Sequence, residues 1–269
     1  MYLEERDFIR LRDLMYDSFG INLAHKQKLI ETRLSALVSQ KGFETFSAYI
    51  DYILNDITGK EISLLVSRLT TNFTYFMREE QHFTFMKSVA LPEVLARIRD
   101  NNLCIWSAGC SSGEEPYSIV MTINDYFSGV RKNMDTRILA TDISAKVLTA
   151  ARTGTYSLDR MNKIPASWIK KHFVPAEEGN YRISSAVQKE VIFRNFNLME
   201  KTFAFKKKFH IIFCRNVMIY FDAKTREELA GRFYDCMHPG GYLFIGMSET
   251  LASSKTNFKY VSPSIYKKA

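Results

Sequence analysis

From Leu103 onward, short apolar runs alternate with helical patterns, and this alternation limits the possible folds more than any other feature of the chain. Residues 103–108 form an apolar run closed by Gly109, and Pro116 then suits the first turn of a helix. Ile119, Val120, Ile123, Tyr126 and Phe127 repeat at helical spacing until Gly129. Residues 137–141 predict a second strand ending at Asp142, followed by a helix that Ser144 caps and Gly154 stops. Residues 209–214 predict a third strand, 223–237 a helix, and 242–246 a strand after the Pro239–Gly240–Gly241 turn. Strands and helices in this rhythm predict βαβ units and an α/β, mostly parallel, doubly wound sheet. The stretch 155–208 breaks the rhythm. Residues 181–184 and 191–196 alternate around Glu178, Gly179 and Asn180, which predicts a small antiparallel β insert, placed at 155–195.

Before this region the chain reads as helical. In residues 24–40, Ile30, Leu34, Leu37 and Val38 recur at i, i+4, i+7 and i+8, one stripe of an amphipathic helix. Further helices are predicted over 43–55, 60–69 and 79–99, the last breaking or kinking at Pro92. The expected organisation is a helical domain over 1–70 and a sheet domain over 71–269.

Composition removes several classes. The 269 residues are 46% hydrophobic and 25% charged, with 12 Gly and 6 Pro, which excludes collagen-like and broadly disordered chains. No apolar run approaches the ~20 residues of a membrane span, and the acidic start does not resemble a signal peptide. Four scattered cysteines and no CxxC pair suggest neither a disulfide framework nor zinc. The expected location is a reducing cytoplasm. Charge is uneven: residues 1–90 hold 11 basic and 12 acidic side chains, residues 151–215 hold 13 and 5. An excess of that kind suits either an acidic partner or an ordinary solvated surface.

The first βα junction reads Gly109–Cys110–Ser111–Ser112–Gly113–Glu114–Glu115. Glycines there let a ligand approach the backbone, although a plain tight turn has the same signature. The spacing is not that of a dinucleotide fingerprint, and acids replace the bare amides a pyrophosphate would need. Asp142, at the end of the second strand, suits acceptance of hydrogen bonds from ribose hydroxyls, or capping of the next helix. Together these features favour a nucleoside ligand without phosphates. Arg215 and Asn216 sit at the carboxyl end of a central strand, where packing alone hardly explains Asn216; for Arg215 a surface ion pair is the competing reading.

Six segments then converge: TNFTYFMRE (71–79), WSAGCSSGEEPYSI (106–119), ATDIS (140–144), NFNLME (195–200), FCRNVMIYF (213–221) and HPGGYLFIGMSETL (238–251). In this order they resemble the CheR-type chemotaxis receptor methyltransferases along essentially the whole chain. The resemblance implies a Rossmann-like methyltransferase domain behind a helical domain, S-adenosylmethionine as cofactor without a metal, and a glutamyl methyl ester on cytoplasmic receptor helices as product. It implies cofactor contacts at Asn72, Thr74, Arg78, Glu114, Asp142, Asn197, Leu198, Cys214, Arg215 and Asn216. Arg78 and Tyr220 would orient carboxylates, and Tyr220 would stand beside the transferred methyl. Which carboxylate Arg78 holds, the substrate's or the methionine's, stays open. The hairpin turn at 175–180 is short, whereas members that dock a receptor's C-terminal peptide use that hairpin.

The competing functions are a nucleic-acid methyltransferase and a non-catalytic cofactor-binding module. Against the first, the strand is followed by Arg-Asn-Val-Met rather than Asp/Asn-Pro-Pro-Tyr/Phe, and no basic aromatic motif for stacking bases is visible. The protein is expected to act as a monomer, without nucleic acid or membrane insertion, at receptor arrays. For substrate binding, Lys26 and Arg33, with Lys41 further along, are expected to form a basic strip on the helix at 24–40 that faces acidic receptor helices.

Overall fold

The computed structural model describes residues 1–129, 133–252 and 255–269. Four helices open the chain: α1 (Glu5–Phe19), α2 (Gln27–Gln40), α3 (Phe46–Leu54) and α4 (Lys60–Leu69). Each buries one stripe. Ile30, Leu34, Leu37 and Val38 of α2 are all buried, as their spacing predicts, against Leu11 and Met15 of α1 and Tyr49 and Ile53 of α3. α2 begins three residues later than the apolar pattern suggests. At the other end of α1, Gly20 takes φ 67° and its N–H bonds back to Met15 and Tyr16 carbonyls, which stops the helix.

Two short helices follow, α5 (Glu80–Phe85) and α6 (Leu91–Leu95), joined by a π-helical turn at Met86–Ala90. The irregularity expected at Pro92 therefore falls ahead of it. Proline has no N–H to return to the carbonyl four residues back, and the ladder widens there so that the Leu91 N–H bonds to Met86.

The sheet domain runs β1 (Ile105–Ala108), α7 (Glu114–Tyr126), β2 (Ile138–Asp142), α8 (Ala145–Thr153), β3 (Thr155–Tyr156), α9 (Ala166–His172), β4 (Phe173–Pro175), β5 (Tyr181–Ile183), α10 (Ser185–Gln188), β6 (Val191–Asn195), β7 (Phe209–Cys214), α11 (Ala223–Asp235), β8 (Met237–Ile245), β9 (Phe258–Ser262) and β10 (Ile265–Lys268). Seven strands form one sheet in the order β6-β2-β1-β7-β8-β10-β9, the first five parallel and the last two antiparallel. β1 is central, with Ser107 opposite Ala140 of β2 on one side and Phe213 of β7 on the other. The chain winds outward from β1 in both directions, so the crevice that such sheets use for ligands lies at the carboxyl ends of β1 and β7.

Alternate side chains of the sheet enter two cores. Trp106, Ala108, Ile212 and Cys214 face the apolar stripes of α1–α4, which makes the helical domain continuous with that face of the sheet. Ile105, Ile211 and Phe213 face the other layer, with Ile119, Val120 and Ile123 of α7.

The insert is a three-stranded antiparallel sheet in the order β3-β5-β4. One expectation is corrected here. Residues 191–196 do not pair with 181–184; they supply β6, the parallel edge strand beside β2, with Ala140 opposite Phe193. β5 instead pairs with β3 and β4, whose two and three residues are too few for a visible alternation. β8 also begins earlier than expected, because the Pro239–Gly240–Gly241 turn is absorbed as a register shift against β7. Among the described residues, no helix is long and apolar enough to cross a membrane.

Candidate active site

A cavity of about 240 Å³ opens at the carboxyl edge of β1, β2, β6 and β7. Its walls come from five places: the linker at residues 70–78, the turn at 109–111, Asp142 and Ile143 after β2, residues 196–198 after β6, and residues 215–221 after β7. The helical domain closes it with Phe19, Ile21 and Val66. Phe73, 64% exposed, and Ile219, 49% exposed, form an apolar rim at its mouth.

Gly109 permits the turn under the cavity. It sits at φ 87°, and a Cβ would meet Val217 Cγ2 at 2.4 Å. The Gly109 and Cys110 N–H groups both bond to the Thr141 carbonyl, which ties the turn to the end of β2. Asp142 continues that tie: its Oδ2 accepts from the Ser111 N–H at 2.9 Å and its Oδ1 from the Ser144 N–H at 2.9 Å. Ser144 in turn caps α8 through its own hydroxyl, so Asp142 braces the cap residue and does not cap the helix itself. Burial pushes the Asp142 carboxyl up, opposed by those N–H groups. Asp142 itself lines the cavity, which places its carboxylate within reach of a further donor there.

At the other end an ion network surrounds Arg215, whose side chain is 2% exposed. It donates to Glu79 at 3.1 Å, to Glu115 at 3.3 Å and to the Arg78 carbonyl. Asn216 Nδ2 adds a bond to Glu79 at 3.3 Å. Burial pushes Glu115 up while Arg215 pulls it back. Burial acts the same way on Glu79, but Arg215, the Met247 N–H and Asn216 outweigh it and hold that carboxyl below its ordinary value.

Asn72, Thr74, Arg78, Asp142, Asn197, Leu198, Arg215, Asn216 and Tyr220 all line the cavity. Several of their side chains also hold the fold. Asn72 donates to Ser67, and Asn197 donates to the Ser18 carbonyl at 2.8 Å. The Tyr220 hydroxyl accepts from the Thr71 N–H at 2.8 Å and faces its carbonyl at 3.2 Å. Arg78 bonds to the Phe73 carbonyl at 3.0 Å.

Two residues expected at the cofactor, Glu114 and Cys214, do not line the cavity. Glu114 is fully buried and lines no part of the cavity; it pairs with Arg160 at 2.5 Å and with the Ser112 hydroxyl at 2.7 Å. Successive helical residues point about 100° apart, so at the start of α7 it is Glu115 that turns to the cavity. Cys214 is also fully buried, its side chain directed into the core shared with the helical domain. The motif cannot distinguish adjacent acids without the phase of the helix.

Lys26 and Arg33 do not line the cavity either. Arg33 donates to the Leu69 carbonyl at 2.8 Å and to the Thr71 hydroxyl at 3.2 Å, closing the end of α4. Lys41 pairs with Glu61 at 2.7 Å. The basic strip is thus partly neutralised, leaving Lys26 exposed at the start of α2. Sequence reasoning named Glu115 only jointly with Glu114, as acids at the helix start, and missed Ser111, Glu79 and, behind the site, Glu249. All four lie inside the motifs quoted above, but nothing in their spacing marks them.

Residues 72–267 match the model for the CheR methyltransferase SAM-binding domain, and residues 6–70 the model for the CheR methyltransferase all-alpha domain. The chain belongs to the CheR methyltransferase family. A chemotaxis protein methyltransferase of Borreliella burgdorferi is 43% identical over 263 residues, spanning 96% of this chain and 93% of that one. One from Pseudomonas putida is 35% identical over 268 residues, 96% of each. The Escherichia coli chemotaxis protein methyltransferase is 32% identical over 268 residues, 98% of this chain and 91% of its own. The cofactor of the methyltransferase is S-adenosylmethionine. Apolar side chains, the Asp142 carboxylate and the Glu115–Arg215 pair around one cavity are a donor set that fits its base, ribose and amino-acid parts.

Proposed function

We propose that this methyltransferase esterifies glutamate side chains on the cytoplasmic helices of chemotaxis receptors, acting as a monomer at the receptor array. The observation that carries the reading is likeness to chemotaxis protein methyltransferases along nearly the whole chain, with both family domains matched. The chemistry of the cavity supports it.

S-adenosylmethionine supplies a methyl group on a cationic sulfur. A substrate glutamate, with an unperturbed pKa of ~4.3, is already an anion at neutral pH, so no base has to remove a proton. Transfer neutralises both partners. The protein's task is alignment, an effect that contributes up to ~7–11 kcal/mol in the best intramolecular cases.

The residues divide that task in our reading. Asp142 accepts from the ribose hydroxyls, and Ile143, Phe196 and Leu198 flank the base, with Asn197 at its edge. Glu115 faces the methionine ammonium, a partner that would offset the burial that now pushes its carboxyl up. Arg78 holds a carboxylate, with Asn72 and Thr74 beside it. Arg215 and Asn216 keep the acids in place. Tyr220 stands beside the methyl. On the outside, Lys26 offers a cation to acidic receptor helices.

The test is incubation with methyl-labelled S-adenosylmethionine and receptor-containing membranes, followed by alkali. Labelled methanol is expected, because a glutamyl ester is alkali-labile. Label that stays on protein or nucleic acid after alkali, or no transfer at all, would overturn the reading.

A further inference from the structure

The segment that carries Arg215, Asn216 and Tyr220 has little regular structure to hold it. It leaves β7 at Cys214, turns at Asn216 with φ 58°, and regains order only in a short 3-10 turn at Met218–Tyr220. Asn tolerates the left-handed region better than most side chains, but the conformation persists only where its surroundings enforce it. Its buried N–H groups also need acceptors.

Glu249, in the turn after β8, meets both needs. It is 6% exposed and lies outside the cavity wall. Its Oε2 accepts from the Asn216 N–H at 3.0 Å and the Gly246 N–H at 2.5 Å, and its Oε1 from the Ile219 N–H at 3.0 Å. One buried carboxylate therefore holds both ends of the turn. Gly246 lets the two segments touch: a Cβ there would stand 2.8 Å from the Asn216 nitrogen, 2.6 Å from its Nδ2 and 2.8 Å from Glu249 Oε2. From the front, the Asn22 N–H bonds to the Tyr220 carbonyl at 2.8 Å.

The geometry points to Glu249 as a positioning residue for methyl transfer: by clamping Asn216 and Ile219 from behind, it sets where Tyr220 stands at the cavity. The inference rests on the reading above that Tyr220 lies beside the transferred methyl. Glutamine has the same shape but only one accepting atom, so it cannot receive N–H groups on both sides.

The test measures kcat and KM for S-adenosylmethionine with receptor membranes in Glu249→Gln, Tyr220→Phe and the double variant. Glu249→Gln is expected to lower kcat by on the order of 10- to 100-fold, the scale of a small misplacement, while KM changes far less. The double variant should be hardly slower than the slower single one, because both act through one group. Gly246→Ala, which keeps the carboxylate but forces the segments apart, should reproduce the kcat loss; exposed Ser248→Ala in the same turn should not. Wild-type kcat in folded Glu249→Gln and Gly246→Ala would overturn the proposal, as would losses that multiply in the double variant. Failure of both variants to fold would assign Glu249 to stability and overturn it too. Absence of ester with the wild-type chain would instead overturn the functional reading.

Discussion

Two arginines, Arg160 and Arg215, each meet an acid from the first turn of α7, and the two regions use the pair differently. Arg160 comes from the root of the insert, is 36% exposed, and reaches the fully buried Glu114. Nearby, the Tyr156 hydroxyl bonds to the Ser112 carbonyl and the Phe76 N–H to the Arg160 carbonyl. That network fastens the insert to the sheet. Arg215 is 2% exposed and divides itself between Glu79 and Glu115 at the cavity wall. Adjacent acids in one motif thus serve separate ends, one holding a subdomain and one facing the cavity. The difference is made by helix phase alone.

The largest effect should come from removing the shared cation. Arg215→Met leaves Glu79 and Glu115 without their counter-ion, and breaking a buried pair from one side costs about 3–5 kcal/mol. Arg160→Met should cost less, on the order of 1–3 kcal/mol, since its guanidinium is partly solvated and Ser112 stays on Glu114. Urea unfolding gives both values. Equal losses would erase the contrast between the regions.

A smaller effect is expected from His82, which lies against the Arg215 network with its Nδ1 3.5 Å from Glu79. Burial first, and then Arg215, lower its pKa to about 4, so the ring is neutral in the fold. The unfolded chain takes up that proton near pH 6.5, the folded one only near 4, so stability falls as pH drops through that window. Between pH 7 and 5 this amounts to about 2 kcal/mol. His82→Leu should flatten the slope by that amount. The comparison with wild type isolates His82 from the buried carboxylates Asp142, Glu114, Glu115 and Glu249, which burial pushes up and which act in the opposite sense. An unchanged slope would detach His82 from the network.

Much of the fold was legible because periodicity reports burial. The stripe of α2 and the apolar runs of β1, β2 and β7 are buried where their spacing placed them. β4 went unread because three residues show no alternation, and β6 was given the wrong partner because a strand's alternation does not say which strand it pairs with. Whether residues 191–195 join the insert or the main sheet depends on the distant β2. The site was legible at the level of segments. Asp142, Asn216 and Tyr220 stand at strand ends and loops that the topology carries to one edge. Within a segment the reading was less certain, as Glu114 and Cys214 show. Arg33 carries a related lesson: its charge suggested a partner's surface, but its donors go to the Leu69 and Arg68 carbonyls. Long side chains on a helix flank have many backbone groups within reach, and sequence spacing does not reveal them.

The division between the two acids is the claim on which the site assignment turns, and calorimetric titration with S-adenosylhomocysteine tests it most directly. Glu115→Gln removes the charge proposed to face the methionine ammonium and should weaken binding roughly ten-fold, about 1.4 kcal/mol. Glu114→Gln should bind as the wild type does while unfolding at a lower urea concentration. The reverse order, with Glu114→Gln losing affinity and Glu115→Gln retaining it, would contradict the account.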